Sequence, residues 1–205
     1  MTTNTRQQII DYSAELLRAR GYSGFSFLDI AREFGIKKAS VHHHFPKKVD
    51  LGLALCDWTQ AWLEQGLAHF EAKGTSNWNK LERYFKAAQK HTLNEQLMCP
   101  ISAFHNDLPV LDDSIRERLK ALGDIELNWV EQVIEQGIEA GEFLSTSAAE
   151  GSSTRTAEGS SSENSARALA GLFIFSCKGA LYHARLHGKD MFHQTMQQFA
   201  ALVRL

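Results

Sequence analysis

Apolar residues recur three and four positions apart along almost the whole chain, and the residues that break helices are confined to a few points. Ile9, Ile10, Ala14 and Leu17 repeat in this way, as do Leu51, Leu55, Trp58, Trp62 and Leu63. A longer run is Ile115, Leu119, Leu122, Ile125, Trp129, Val133 and Ile134. Such spacing draws one apolar stripe along a helix. The three prolines, Pro46, Pro100 and Pro109, stand where helices start or stop. There is no sustained period-two alternation and no Asn-Gly or Asp-Gly hairpin. The pattern predicts an all-α protein.

With 205 residues, 43% of them hydrophobic, the chain can bury a core. The N-terminus lacks a basic segment followed by a continuous apolar one, so no secretory signal is expected. The most apolar run, Ala168 to Cys177, stops at Lys178, far short of the roughly 20 residues that span a bilayer. Three scattered cysteines, Cys56, Cys99 and Cys177, make neither a disulfide scaffold nor a CxxC metal site. These features predict a cytoplasmic protein with reduced thiols, no membrane partner, no metal and no cofactor. The formal net charge of −2 hides an asymmetry: the first 50 residues carry eight Lys/Arg against five Asp/Glu, and the other 155 carry fourteen against nineteen. A basic head on an acidic body points to an anionic partner for the head.

A first helix spans about Thr5 to Arg20 and stops at Gly21. Ser26-Phe27-Leu28-Asp29 has the spacing of a capping box, with Phe25 and Ile30 placed as its hydrophobic staple. This starts a short helix, about Phe27 to Phe34, which Gly35 ends; another, about Lys37 to His44, follows at once. Two short helices around a glycine turn predict a helix-turn-helix. Longer helices are expected over about Lys48–Lys73, Asn77–Glu95, Ser114–Ala140, Asn164–His187 and Lys189–Leu205, with a short one from Pro100. The stretch 145–165 has no aromatic or branched aliphatic residue and is expected to be a flexible polar loop. Two domains are expected: residues 1–47 as a helix-turn-helix head, and 48–205 as a helical body. The penultimate helix is apolar around much of its circumference, which predicts a homodimer through the last two helices.

DNA binding needs cations near phosphates and short polar side chains near base edges. Ser26, Lys37, Lys38, Ser40, His42, His43, His44, Lys47 and Lys48 fit that need. Lys48 at a helix start, beside free backbone N–H groups, is placed as a phosphate anchor. The three consecutive histidines project about 100° apart on a helix and cannot converge on one metal ion.

The stretch SFLDIAREFGIKKASVHHHFPKKVDL resembles the DNA-binding unit of the tetracycline-repressor (TetR) family of transcriptional regulators. The match falls on Ser26, Ile30, Ala31, Gly35, Ile36, His44, Phe45, Lys48 and Leu51. The resemblance implies a variable helical ligand and dimer domain, double-stranded operator DNA as partner, and a small-molecule effector. Ala39 stands where the family usually has Gly, and His42 where it usually has a Tyr that reaches a phosphate. An imidazole donates best when protonated, so DNA affinity is expected to depend on pH.

MCPISAFHNDLPVLDDSIRERLKAL and the segments after it resemble the branch of N-ethylmaleimide- and acrylate-responsive repressors, some of which sense electrophiles through a cysteine at the position of Cys99. At a helix start a thiolate is stabilised, which makes Cys99 a candidate sensor beside the alternative of an inert cysteine. Candidate pocket residues are Trp62, Tyr84, Phe85, Phe104, His105, Trp129, Phe173 and His183. No P-loop, GxGxxG, HExxH or GxSxG motif occurs, so enzymatic activity is not expected. The reading is a repressor that releases a near-palindromic operator; its rivals are a constitutive DNA-binding protein without effector and a helical enzyme.

Overall fold

A computed structural model describes residues 5–144 and 161–204. Helices α1 (Thr5–Arg20), α2 (Phe27–Glu33), α3 (Lys38–His44) and α4 (Lys48–Lys73) are followed by α5 (Asn77–Gln89) and a π turn, Lys90–Asn94. Then come α6 (Pro100–His105), a 3-10 turn at Leu108–Val110, α7 (Asp113–Glu139), α8 (Ser161–His187) and α9 (Lys189–Val203). The helix expected to run to Glu95 gives way at Lys90 to the wider π turn, which takes Thr92 into the interior. α8 starts three residues before the expected Asn164, so the last five residues of the polar stretch are helical rather than loop. The rest of that stretch, 145–160, lies outside the described residues.

The chain forms two compact units, and neither follows the expected boundary after residue 47. One holds Met1–Gln65 and Glu95–Gly123, the other Gly66–Asn94 and Asp124–Leu205. The first unit extends beyond α1–α3 because α6 packs on α1. The Met98 N–H donates to the Arg18 carbonyl at 3.0 Å, and Arg18 Nε donates to the Met98 carbonyl at 3.1 Å. The Ser23 N–H adds a bond to Asp107 Oδ2 at 3.0 Å. Gly21 permits this approach: its φ is +79°, and a Cβ there would stand 2.8 Å from Asp107 Oδ2. Phe104 is fully buried and lies 5.7 Å from the Tyr22 ring. Ile9, Leu17, Ile30, Val41, Phe45, Leu51 and Leu55 complete the core of this unit.

In the second unit α8 packs along α9 across Gly188. Glu142 caps α5 by accepting the backbone N–H groups of Asn77 and Trp78, both at 3.0 Å. Its core includes Leu81, Val130, Phe173 and Phe192. Glu126 of α7 is only 3% exposed yet fully engaged: Tyr84 Oη donates to it at 2.6 Å, and the Lys178 ammonium pairs with its other oxygen.

Candidate DNA interface

The turn between α2 and α3 follows from local chemistry. Ser26 accepts the Leu28 N–H at 3.2 Å, while Asp29 Oδ2 accepts the Ser26 N–H at 2.8 Å: the expected capping box. Phe25 and Ile30, the expected staple, are both buried. At the other end the Ile36 N–H donates to Ala31 O at 3.0 Å and the Gly35 N–H to Arg32 O at 3.3 Å, with Gly35 at φ +62°. This Schellman arrangement ends α2 and redirects the chain into α3.

Val41 is fully buried and fixes α3 by one face. Lys37, Lys38, Ala39, Ser40, His42 and His43 are exposed around it, and His44 is half-buried beside His43, ring centroids 5.5 Å apart. The His42 ring meets Phe27 edge to face at 4.8 Å, and its Nδ1 lies 3.2 Å from the Pro46 carbonyl. A carbonyl only accepts, so Nδ1 carries a proton. Nε2 therefore donates to a phosphate only when the imidazole is charged.

Two expected phosphate contacts are otherwise employed. The Lys48 ammonium donates to the Phe25 carbonyl at 2.6 Å and stands 4.7 Å and 4.8 Å from the Tyr22 and Phe25 ring centroids. Burial pushes its pKa down. Lys48 thus ties α4 to the α1–α2 corner, and the Tyr22 hydroxyl adds a bond to the Lys48 carbonyl at 2.9 Å. Ser26 gives both its N–H and its hydroxyl to Asp29. Hydrogen bonds from Ser26 hold the Asp29 carboxyl below the usual carboxylate range. Lys47 is exposed, and its backbone N–H is bound by Asp50 Oδ2 at 2.7 Å.

Residues 9–55 match the family model described as bacterial regulatory proteins, tetR family. The segment 9–55 belongs to the TetR family. Its members are transcriptional regulators rather than enzymes, and the α2–turn–α3 unit is their helix-turn-helix. Over 54 residues the chain is 35% identical to the HTH-type transcriptional regulator CymR of Pseudomonas putida, covering 26% of this chain and 27% of that protein. Over 140 residues it is 27% identical to the HTH-type transcriptional repressor DhaR of Mycobacterium sp. (strain GP1), covering 68% and 70%. A TetR-family regulator from Agrobacterium tumefaciens superposes with a TM-score of 0.82 at 26% identity, over 98% of this chain and 97% of the other. One from Legionella pneumophila gives 0.78 at 29%, over 98% of each. The reduced form of NemR from E. coli gives 0.74 at 16% identity, over 98% and 97%, a likeness of fold alone.

The effector candidates fall in different surroundings. In the second unit Tyr84 stacks on Trp129 at 6.2 Å and meets Phe173 at 5.5 Å, above the buried Glu126. Phe85 turns instead to Trp78 and Phe192, 6.2 Å from each. His183 is exposed beside His187. In the first unit Cys99 is half-buried at the start of α6, Phe104 is core, His105 is exposed, and Trp62 lies under the Arg18 guanidinium at 5.9 Å. Cys56 is buried, and burial pushes its thiol up to about 12. Arg18 and Glu126 escaped sequence reading, yet each leaves a signal: a charged residue inside an apolar stripe, beside Leu17 in one case and four after Leu122 in the other. No helix among the described residues is long and apolar enough to cross a membrane.

Proposed function

We propose that the chain is a homodimeric repressor that holds a near-palindromic operator and releases it when a small effector binds or Cys99 is modified. The observation that carries this is α3: seven residues anchored by Val41, with a basic and polar face left open. Such a helix presents its first turns to base edges in the major groove, while Lys37, Lys38 and Lys47 meet phosphates.

Dimerisation is supported by α8. Leu172, Phe175, Gly179, Tyr182 and Leu186 are all exposed and recur at alternating steps of three and four, Phe175 at 71% and Leu186 at 82%. A monomer would leave that seam in water, whereas a second copy buries it. Two heads then reach half-sites about one helical turn apart, roughly 34 Å.

Release follows from the packing of the first unit. α6 is bonded to α1, so a displaced α6 moves the head, and α4 is expected to share the motion through Lys48. An effector shifts this equilibrium only by binding the two states unequally.

Fluorescence anisotropy on the DNA upstream of the chain's own gene tests the reading, with wild type and Cys99→Ser in the presence and absence of electrophiles. Saturable binding to that DNA, and not to scrambled DNA, is expected. Equal release of both proteins by electrophiles rules out the cysteine switch. Failure to prefer the upstream DNA overturns the repressor reading.

A further inference from the structure

Arg18 lies in the last turn of α1 with only 9% of its surface exposed. Its Nε donates to the Met98 carbonyl, but its Nη2 is buried and meets no acceptor. The acids nearest in electrostatic influence are Cys99, Glu95 and Glu15, and none reaches Nη2. Burial pushes the guanidinium's pKa down, although an arginine in a protein stays charged. Buried cations are ordinarily paired, because desolvation without a counter-charge is costly. Here one nitrogen of the pair is left without its anion.

Nε and Nη2 form one edge of the guanidinium, the edge that matches the two oxygens of a carboxylate. Half of this edge is held by a neutral carbonyl and half is empty. We propose that the Nε–Nη2 edge of Arg18 is the receptor for a small organic carboxylate, which displaces the Met98 carbonyl from Nε and fills Nη2. This assignment rests on the effector-responsive reading above and names its ligand class.

The exchange is favourable locally, since two charge-assisted hydrogen bonds replace one neutral bond. It also opens one of the two bonds that join α1 to the start of α6, leaving only the Met98 N–H to the Arg18 carbonyl. Ligand and closed clasp exclude each other. The carboxylate therefore favours the state in which α6 is uncoupled from the head, which is the unequal binding that release requires. The surroundings favour a monoanion with an apolar body over a phosphate. Trp62 supplies an aromatic face beside the guanidinium, and a single two-nitrogen edge matches the single charge of a carboxylate. Met98, Cys99 and Trp62 are each only half-buried, so the guanidinium lies beneath side chains that themselves reach solvent.

The test uses the full chain, its upstream DNA and matched probes: sodium propionate and benzoate against propionamide and benzamide, all at about 10 mM with sodium chloride balancing ionic strength. Anisotropy and thermal melting are both read. At least one carboxylate is expected to weaken wild-type DNA binding tenfold or more and to raise Tm, while its amide changes affinity less than twofold. In Arg18→Met the ratio of affinities with and without that carboxylate falls to near one. Should Arg18→Met fail to fold, Arg18→Lys keeps the charge but loses the two-nitrogen edge, and its response is expected to drop at least fivefold. The assignment is overturned if carboxylate and amide act alike, if the variants respond as wild type does, or if neither carboxylate moves Tm or affinity. Failure of ligand-free wild type to bind the upstream DNA sinks the repressor reading separately, and the melting arm still decides Arg18.

Discussion

His42 and Lys48 show how single residues in one short motif divide between binding and folding. The Nδ1 proton of His42 is committed to the Pro46 carbonyl, so only the charged ring donates from Nε2. DNA affinity is therefore expected to be weaker at higher pH, where a charged donor is lost. His42→Tyr, which restores a neutral donor, should flatten that profile in anisotropy titrations; an unchanged slope would remove His42 from the phosphate contacts. Lys48→Ala is expected to act chiefly through the fold. It loses a hydrogen bond and two cation–π contacts, together worth about 1–3 kcal/mol in chemical denaturation. Gly35→Ala should cost about 1 kcal/mol, since φ is positive there while open space surrounds the added methyl. Its Tm is expected to fall by about 2–4 °C. The capping box and Gly35 were legible because their partners lie within five residues. The employment of Lys48 was not, because the Phe25 carbonyl is 23 residues away in sequence and only folding brings it close.

At the scale of elements, periodicity located the long helices well. The first and the fourth have the bounds the pattern implies, Thr5–Arg20 and Lys48–Lys73, each ended by a glycine. The π turn at Lys90–Asn94 was invisible, because widening one turn changes hydrogen bonding without a distinct residue signal. The aromatic candidates were harder still. Spacing places Tyr84, Phe85, Trp129 and Phe173 on apolar faces, but neighbours four residues or fewer apart can face different partners, as Tyr84 and Phe85 do. The seam on α8 makes an independent prediction. Phe175→Glu or Leu186→Asp puts a charge where a second copy is expected, and light scattering should show a monomer. A dimer that persists at micromolar concentration in both variants would place the interface elsewhere. Inside the second unit, Lys178→Met leaves the Glu126 carboxylate buried with only Tyr84 for a partner, at an expected cost of about 3 kcal/mol in urea unfolding.

Over the whole molecule, the near-neutral charge conceals a basic segment that contains the helix-turn-helix and an acidic remainder. The family and the fold were readable because the head's motif is local and specific. The division into compact units was not, because it rests on contacts between α1 and α6, some 80 residues apart along the chain. The central claim is that two copies of α3 and its flanking lysines hold operator DNA. The most direct measurement is the salt dependence of binding to the upstream DNA for wild type, Lys38→Ala and Lys48→Ala. Each phosphate contact contributes about 0.9 to the slope of log affinity against log salt. Lys38→Ala in a dimer removes two contacts, so its slope should flatten by about 1.8 with folding unchanged, while a folded Lys48→Ala keeps the wild-type slope. Equal slopes for wild type and Lys38→Ala, or binding indifferent to DNA sequence, would contradict the account.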